Sequence, residues 1–166
     1  LRNLGAAISP DNAWIFLQGI ETLPLRMEKH CANALAVAKF LSTHPQVEWV
    51  KYPGRESDKQ YSLQQKYRKG KGGSMVIMGL KGGKEAGQKL IEALTLFSHV
   101  ANVGDAKSLA IHPASTTHSQ MNAEQQAAAG VPPEMVRLSV GLEDPVDLIA
   151  DLENALTTAA TGAGNS

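Results

Sequence analysis

The chain has 166 residues, enough for one hydrophobic core, and a chain of this length buries roughly two-thirds of its unfolded surface on folding. Lys plus Arg (16) equals Asp plus Glu (16), and 43% of residues are hydrophobic, which argues against a nucleic-acid partner and against a disordered polymer. No apolar run reaches the ~18 to 20 residues of a membrane helix, and Cys31, the sole cysteine, has no internal disulfide partner, so a cytoplasmic setting is expected. The chain opens on Leu1 without a signal peptide and places a helix start within its first ten residues. We therefore expect a piece of a longer polypeptide.

Ser9-Pro10 carries the signature of an N-cap followed by proline at the first helical position. Apolar residues recur from Ala13 through Leu17 to Ile20, and Pro24 either restarts or kinks the helix. A second periodic stretch presents Met27, Cys31, Ala34, Leu35, Ala38 and Leu41 and should stop before His44-Pro45. Val47 to Tyr52 reads as a strand. Arg55 to Gly73 carries six Lys or Arg against two acids and reads as a short surface helix with a flexible loop. Ser74 to Leu80 is a second strand, and Lys84 to Leu96 a helix with Ala86, Leu90, Ile91 and Leu94 inward. Short extended pieces are expected at Phe97 to Val100 and Leu109 to Ile111. Asn122 with Gln125 resembles a capping box, and Gly130 ends that helix. Val136 to Val140 is the last strand. Asp144 then caps a helix with Pro145 at its first position and Leu148, Ile149, Leu152, Ala155 and Leu156 inside, and the tail after about Thr158 should fray. These elements define an α+β layer: a mostly antiparallel sheet covered by helices on one face.

Arg137 is the residue with most to say about chemistry. It interrupts an apolar alternating run, and an unpaired charge in such a strand is costly unless an anion meets it. The loop from Ala101 to Met121 concentrates hydrogen-bonding side chains before that strand, so the guanidinium fork and nearby donors suit a carboxylate. The competing reading pairs Arg137 with Glu134, Glu143 or Asp144 and lets the Ser/Thr run satisfy only its own loop backbone. Other motifs point less clearly to function. His112 and His118 match metal spacing poorly, so no metal site is expected. Ser115 to His118 is adjacent in sequence only. Gly70-Lys71-Gly72-Gly73-Ser74 precedes a strand, the wrong context for a phosphate loop, and the basic run at Lys66 to Lys71 reads as a solvated face.

His112 to Gln120 (HPASTTHSQ), with Asn102 to Leu109 before it and Val136 to Asp144 after it, resembles the C-terminal domain of the Cys/Met-metabolism group of pyridoxal-phosphate enzymes. Ser9 to His30 is similar to the long helical link that joins this domain to the cofactor-binding half. The resemblance implies the small C-terminal domain of a fold-type-I enzyme, divided as linking helices 1–43, an α/β clamp domain 44–160 and a frayed tail 161–166. Within the family, Asn102, the pair Thr116-Thr117 and the stretch His44 to Gly54 carry a finer likeness to the sulfhydrylase branch. That branch replaces the acetate of O-acetyl-L-homoserine by sulfide or a thiol, giving homocysteine or methionine.

The resemblance assigns the substrate α-carboxylate to Arg137, Asn102, the backbone near Val103, and Thr117. Pyridoxal 5'-phosphate would supply the electron sink. None of the eleven lysines stands in the Ser-x-Thr-Lys setting of the family's cofactor lysine, so the cofactor is expected on the N-terminal half, no residue of this chain is expected to be catalytic, and the isolated chain should be inactive. The whole enzyme is expected to be a cytoplasmic homotetramer. The alternatives are a free-standing amino-acid-binding or regulatory module, and the same domain of a methionine γ-lyase or cystathionine γ-synthase.

Overall fold

The computed structural model describes residues 4–161. Two consecutive helices, α1 (Pro10–Glu21) and α2 (Leu23–Thr43), open the fold. Ser9 caps α1 by accepting from the Asn12 N–H at 3.2 Å. Pro24 restarts the helix: Thr22 is at once the C-cap of α1 and the N-cap of α2, because the proline ring interrupts the hydrogen-bond ladder one turn back. The buried stripe of α2 is His30, Asn33, Ala34, Val37, Ala38 and Leu41. Cys31 and Leu35, expected inside, lie at its half-buried margin, since the stripe follows spacings of three and four from His30.

The chain continues through β1 (Val47–Lys51), α3 (Tyr61–Arg68), β2 (Met75–Leu80), α4 (Gly83–Ala93), β3 (Leu109–Ile111), a 3-10 turn at Pro113–Ser115, α5 (Ala123–Ala128), β4 (Met135–Ser139) and α6 (Pro145–Thr161). The four strands form one antiparallel sheet in the order β1-β2-β4-β3. Alternation along each strand gives the sheet two distinct faces. Val76, Met78, Leu80, Ala110, Val136 and Leu138 point to the helical side, where they form one core with Leu41 of α2, Leu90 of α4 and Leu148, Leu152 and Leu156 of α6. Trp49, Met75, Ile77, Met135, Arg137 and Ile111 fall on the other face by register. There only a small cluster forms, from Ala114, Val131 and Met135 with Trp49 and Ile77 packed against it.

Three expectations need correction. Helix α4 ends at Ala93, short of Leu96, because Asp151 of α6 takes the next segment: its carboxylate accepts from the Thr95 N–H and hydroxyl and from the Leu96 and Phe97 N–H groups. Phe97 to Val100 is therefore not a strand. Only Ser98 bridges to Leu109. Helix α6 runs on to Thr161 because Ala155, Leu156 and Ala159 remain buried against the core, so it does not fray at Thr158. Residues 162–166 of the expected tail lie outside the described residues.

Candidate functional site

Arg137 stands in the middle of β4, in register with Ile77 of β2 and Ile111 of β3. It is half-buried on the face away from the helices. All three acids that competed for it are engaged elsewhere: Glu134 Oε1 accepts from the Trp49 indole N–H at 3.2 Å, Glu143 accepts from Ser108, and Asp144 Oδ1 caps the Val146 N–H at 2.8 Å. Among the described residues no carboxylate pairs with Arg137. A planar cation with five donors, flanked by two isoleucines and left unpaired, is a place where an incoming anion gains more than it would in water.

The end of β4 is fixed by a closed polar clasp. Ser108, fully buried, donates its N–H and hydroxyl to the two Glu143 oxygens at 2.7 and 2.8 Å. The same hydroxyl accepts the Gly141 N–H at 2.7 Å. From α2, Asn33 donates to the Gly141 and Glu143 carbonyls at 3.0 and 2.8 Å, and His30 donates from Nδ1 to the Val140 carbonyl at 2.7 Å. Gly141 has no room for a side chain, since a Cβ there would lie 2.5 Å from the Ala106 carbonyl oxygen. The clasp thereby sets the height of the strand that carries Arg137. Sequence reading did not find it. The one local signal is a pair of polar residues, His30 and Asn33, on the otherwise apolar stripe of α2.

His112 does the same for the start of β4. Its Nε2 lies 2.7 Å from the Pro133 carbonyl, which can only accept, so Nδ1 accepts from the Ser115 hydroxyl at 2.8 Å. Burial pushes its pKa down, the Pro133 carbonyl opposes this, and Lys84 adds to the lowering, so the ring is neutral at pH 7. The turn after β3 is thus tied to the segment entering β4.

The remaining expected site residues sit on the loops that flank β3. Asn102 and Val103 are exposed between α4 and β3, with the Val103 N–H donated to Asn102 Oδ1 at 2.8 Å. Thr117 is exposed after the 3-10 turn, its hydroxyl 2.8 Å from His118 Nδ1. Ser115 and Thr116 bond to His112, so these two do serve their own loop. Among the described residues no hydrogen bond joins Arg137 to Asn102, Val103 or Thr117. Asn102 and Val103 precede β3 and Thr117 follows it, each bonded within its own loop. Ser139, on the same face two residues beyond Arg137, is buried with a hydroxyl that lacks a partner among the described residues. The alternation of β4 would have placed it beside Arg137, yet sequence reading passed over it.

Every lysine is exposed except Lys89, which is half-buried on α4. None lies in an enclosed cradle of the kind a Schiff-base lysine requires.

Residues 1–157 match the model of the Cys/Met metabolism PLP-dependent enzymes, and the chain belongs to that family. It is 59% identical over 157 residues to an O-acetyl-L-homoserine sulfhydrylase of Leptospira meyeri, and 56% identical to O-acetyl-L-homoserine sulfhydrylase 1 of Thermus thermophilus. An L-methionine gamma-lyase of Pseudomonas deceptionensis is 49% identical. The alignments cover 94% of this chain but only 36%, 37% and 39% of those relatives. A crystal structure of an O-acetylhomoserine (thiol)-lyase from Campylobacter jejuni, which contains a pyridoxyl-lysine phosphate, superposes with a TM-score of 0.86 at 45% identity. That match covers 94% of this chain and 37% of that one.

Proposed function

We propose that the chain is the substrate-clamping part of a pyridoxal-phosphate-dependent O-acetyl-L-homoserine sulfhydrylase. Arg137 holds the α-carboxylate of the amino acid, with Asn102, the Val103 N–H and Thr117 completing the grip. Residues 1–43 serve as linking helices and residues 44–160 as the clamp domain. The cofactor is held by the remainder of a longer, homotetrameric cytoplasmic enzyme, and the isolated chain does not turn over. The observation that carries this reading is an unpaired guanidinium in the centre of a sheet whose neighbouring acids are all bonded elsewhere. Asn102 and Thr117 now bond to their own neighbours. An incoming carboxylate competes for the Val103 N–H and the Thr117 hydroxyl and draws the two loops toward Arg137. Fixing one end of the substrate orients the bond to be broken, a contribution that grows as the reacting atoms are held closer to alignment.

The test is an Arg137→Ala exchange in the full-length enzyme. A charge-assisted pair of this kind is worth about 3 kcal/mol, so kcat/KM for O-acetyl-L-homoserine should fall on the order of 100-fold. Unaltered kinetics would mean that Arg137 is structural. The 49% identity to a methionine gamma-lyase favours one second reading, elimination without an added thiol. Product analysis separates the two: a sulfhydrylase forms homocysteine only when sulfide is present, whereas a lyase consumes its substrate without it.

A further inference from the structure

A hollow of about 690 Å³ lies across β2 from Arg137, between the end of β1, the start of β2 and α3. Its volume falls within the roughly 300 to 1,000 Å³ of small-molecule sites. Lys51, Lys59 and Arg68 line it over an apolar floor that includes Met75 and Ile77. The one carboxylate in the lining, Asp58, is already used twice by the backbone: Oδ2 accepts from Tyr52 N–H and Oδ1 from Gln60 N–H, both at 2.9 Å. Lys71 is turned aside to Glu28 at 3.0 Å, but neither Lys59 nor Arg68 has an acidic partner among the described residues. The Arg68 guanidinium stands over Gly73, where a Cβ would lie 3.6 Å from Nη1. Gly73 itself has φ +86, which bends the backbone into the cleft wall at little cost for glycine alone.

A second hollow, about 270 Å³, adjoins the first and shares Pro53, Gln60 and Arg68 with it. Gln64 lines it, 4% exposed, and both ends of its side-chain amide lack partners among the described residues. A buried amide left unpaired is unfavourable, and a polar group entering over Arg68 would relieve it. Lys51 is engaged over the Trp49 ring, 4.7 Å from its centroid, so the two cations left, Lys59 and Arg68, call for an anion, and the apolar floor calls for a body that prefers to leave water.

We propose that this double hollow binds a phosphorylated small molecule with a flat, largely apolar body. The phosphate charges meet Lys59 and Arg68, the body lies on Met75 and Ile77, and a polar end reaches Gln64. The site shares Ile77 and a sheet face with the Arg137 clamp but uses none of the clamp's donors.

The test is amide-resolved NMR titration of this chain, at physiological salt, with adenosine diphosphate, pyrophosphate and adenosine as probes. Saturable shifts are expected at residues 57–60, 68 and 72–77, tightest for adenosine diphosphate, weaker for pyrophosphate and weakest for adenosine. Lys59→Ala and Arg68→Ala, both at exposed positions, should each weaken adenosine diphosphate at least fivefold. Arg137→Ala and the distant control Lys81→Ala should leave it unchanged, so failure of the clamp reading and failure of this one are distinguishable. The proposal is overturned by shifts that never saturate or scatter over the surface, by pyrophosphate binding as tightly as the nucleotide, or by Lys81→Ala weakening binding as much as Arg68→Ala does.

Discussion

Arg137, within β4, and Gly141, just past its end, stand in opposite polar environments. Around Gly141, the Ser108 N–H and hydroxyl, the Glu143 carboxylate and the Gly141 N–H are turned onto one another at 2.7 to 2.8 Å, while at Arg137 the strongest donor on the strand meets no acid among the described residues. Both regions bury polar atoms, but only the first satisfies them. Closed polar networks fix geometry, and an open one keeps binding capacity in reserve for a ligand. The contrast predicts opposite responses to mutation. Changes in the clasp should cost stability, whereas changes at Arg137 should cost function and little else.

The largest loss is expected at Gly141. A Cβ there collides with Glu143, with the Ala106 carbonyl oxygen and with the Lys107 backbone, and backbone atoms cannot swing aside as a side-chain tip can. Gly141→Ala should destabilise by about 3 kcal/mol, lowering Tm by about 10 °C for a domain of this size. Differential scanning calorimetry measures it. A Tm within 2 °C of the parent would show that the clasp is looser than its distances imply.

Ser108→Ala comes next. It strands the Gly141 N–H and removes one donor from Glu143, at a cost of about 2 kcal/mol. A Ser108→Ala, Glu143→Gln double-mutant cycle sharpens the comparison. Two residues in one network should show a coupling of roughly 0.5 to 3 kcal/mol, and strict additivity would mean that they act independently.

Asp151 adds a pH dimension to the closed side. Burial pushes its pKa up, but hydrogen bonds from the Thr95 hydroxyl and the Thr95, Leu96 and Phe97 N–H groups outweigh this and bring it below the ordinary carboxylate value. A carboxyl whose folded pKa is depressed contributes stability that is present above the unfolded pKa near 3.8 and is lost as pH falls through the lower folded value. Asp151→Asn should therefore lower the urea midpoint clearly at pH 7, by the equivalent of about 1 to 2 kcal/mol, and the gap to the parent should narrow below pH 4. An equal gap at both pH values would mean that the carboxylate charge contributes nothing.

What could be read from the sequence divides along the same line. The strands and their faces were legible because apolar alternation is a local signal, and Arg137 stood out because it breaks that signal. The termination of α4 was not legible, because it depends on Asp151 more than fifty residues further along. Glu143 was read as a possible partner for Arg137, because nothing local shows that Ser108 captures it across 35 positions. Asn102, Val103 and Thr117 were named through resemblance. Their present bonds to neighbouring residues follow from short-range geometry that a substrate has yet to overcome.

The smallest effect on stability belongs to the residue with the largest expected effect on function. Leucine at position 137 would stand between Ile77 and Ile111, extending an apolar row across three strands and removing a partly desolvated charge. Replacing an unpaired or poorly paired buried cation by a hydrophobic group of similar reach is commonly neutral or stabilising. Arg137→Leu should thus change the unfolding free energy by less than about 1 kcal/mol, in either direction, when measured by urea titration on this chain. The same exchange in the full-length enzyme should remove carboxylate recognition. A loss beyond 2 kcal/mol would place Arg137 with the closed network, and β4 would then carry no open donor for a substrate to meet.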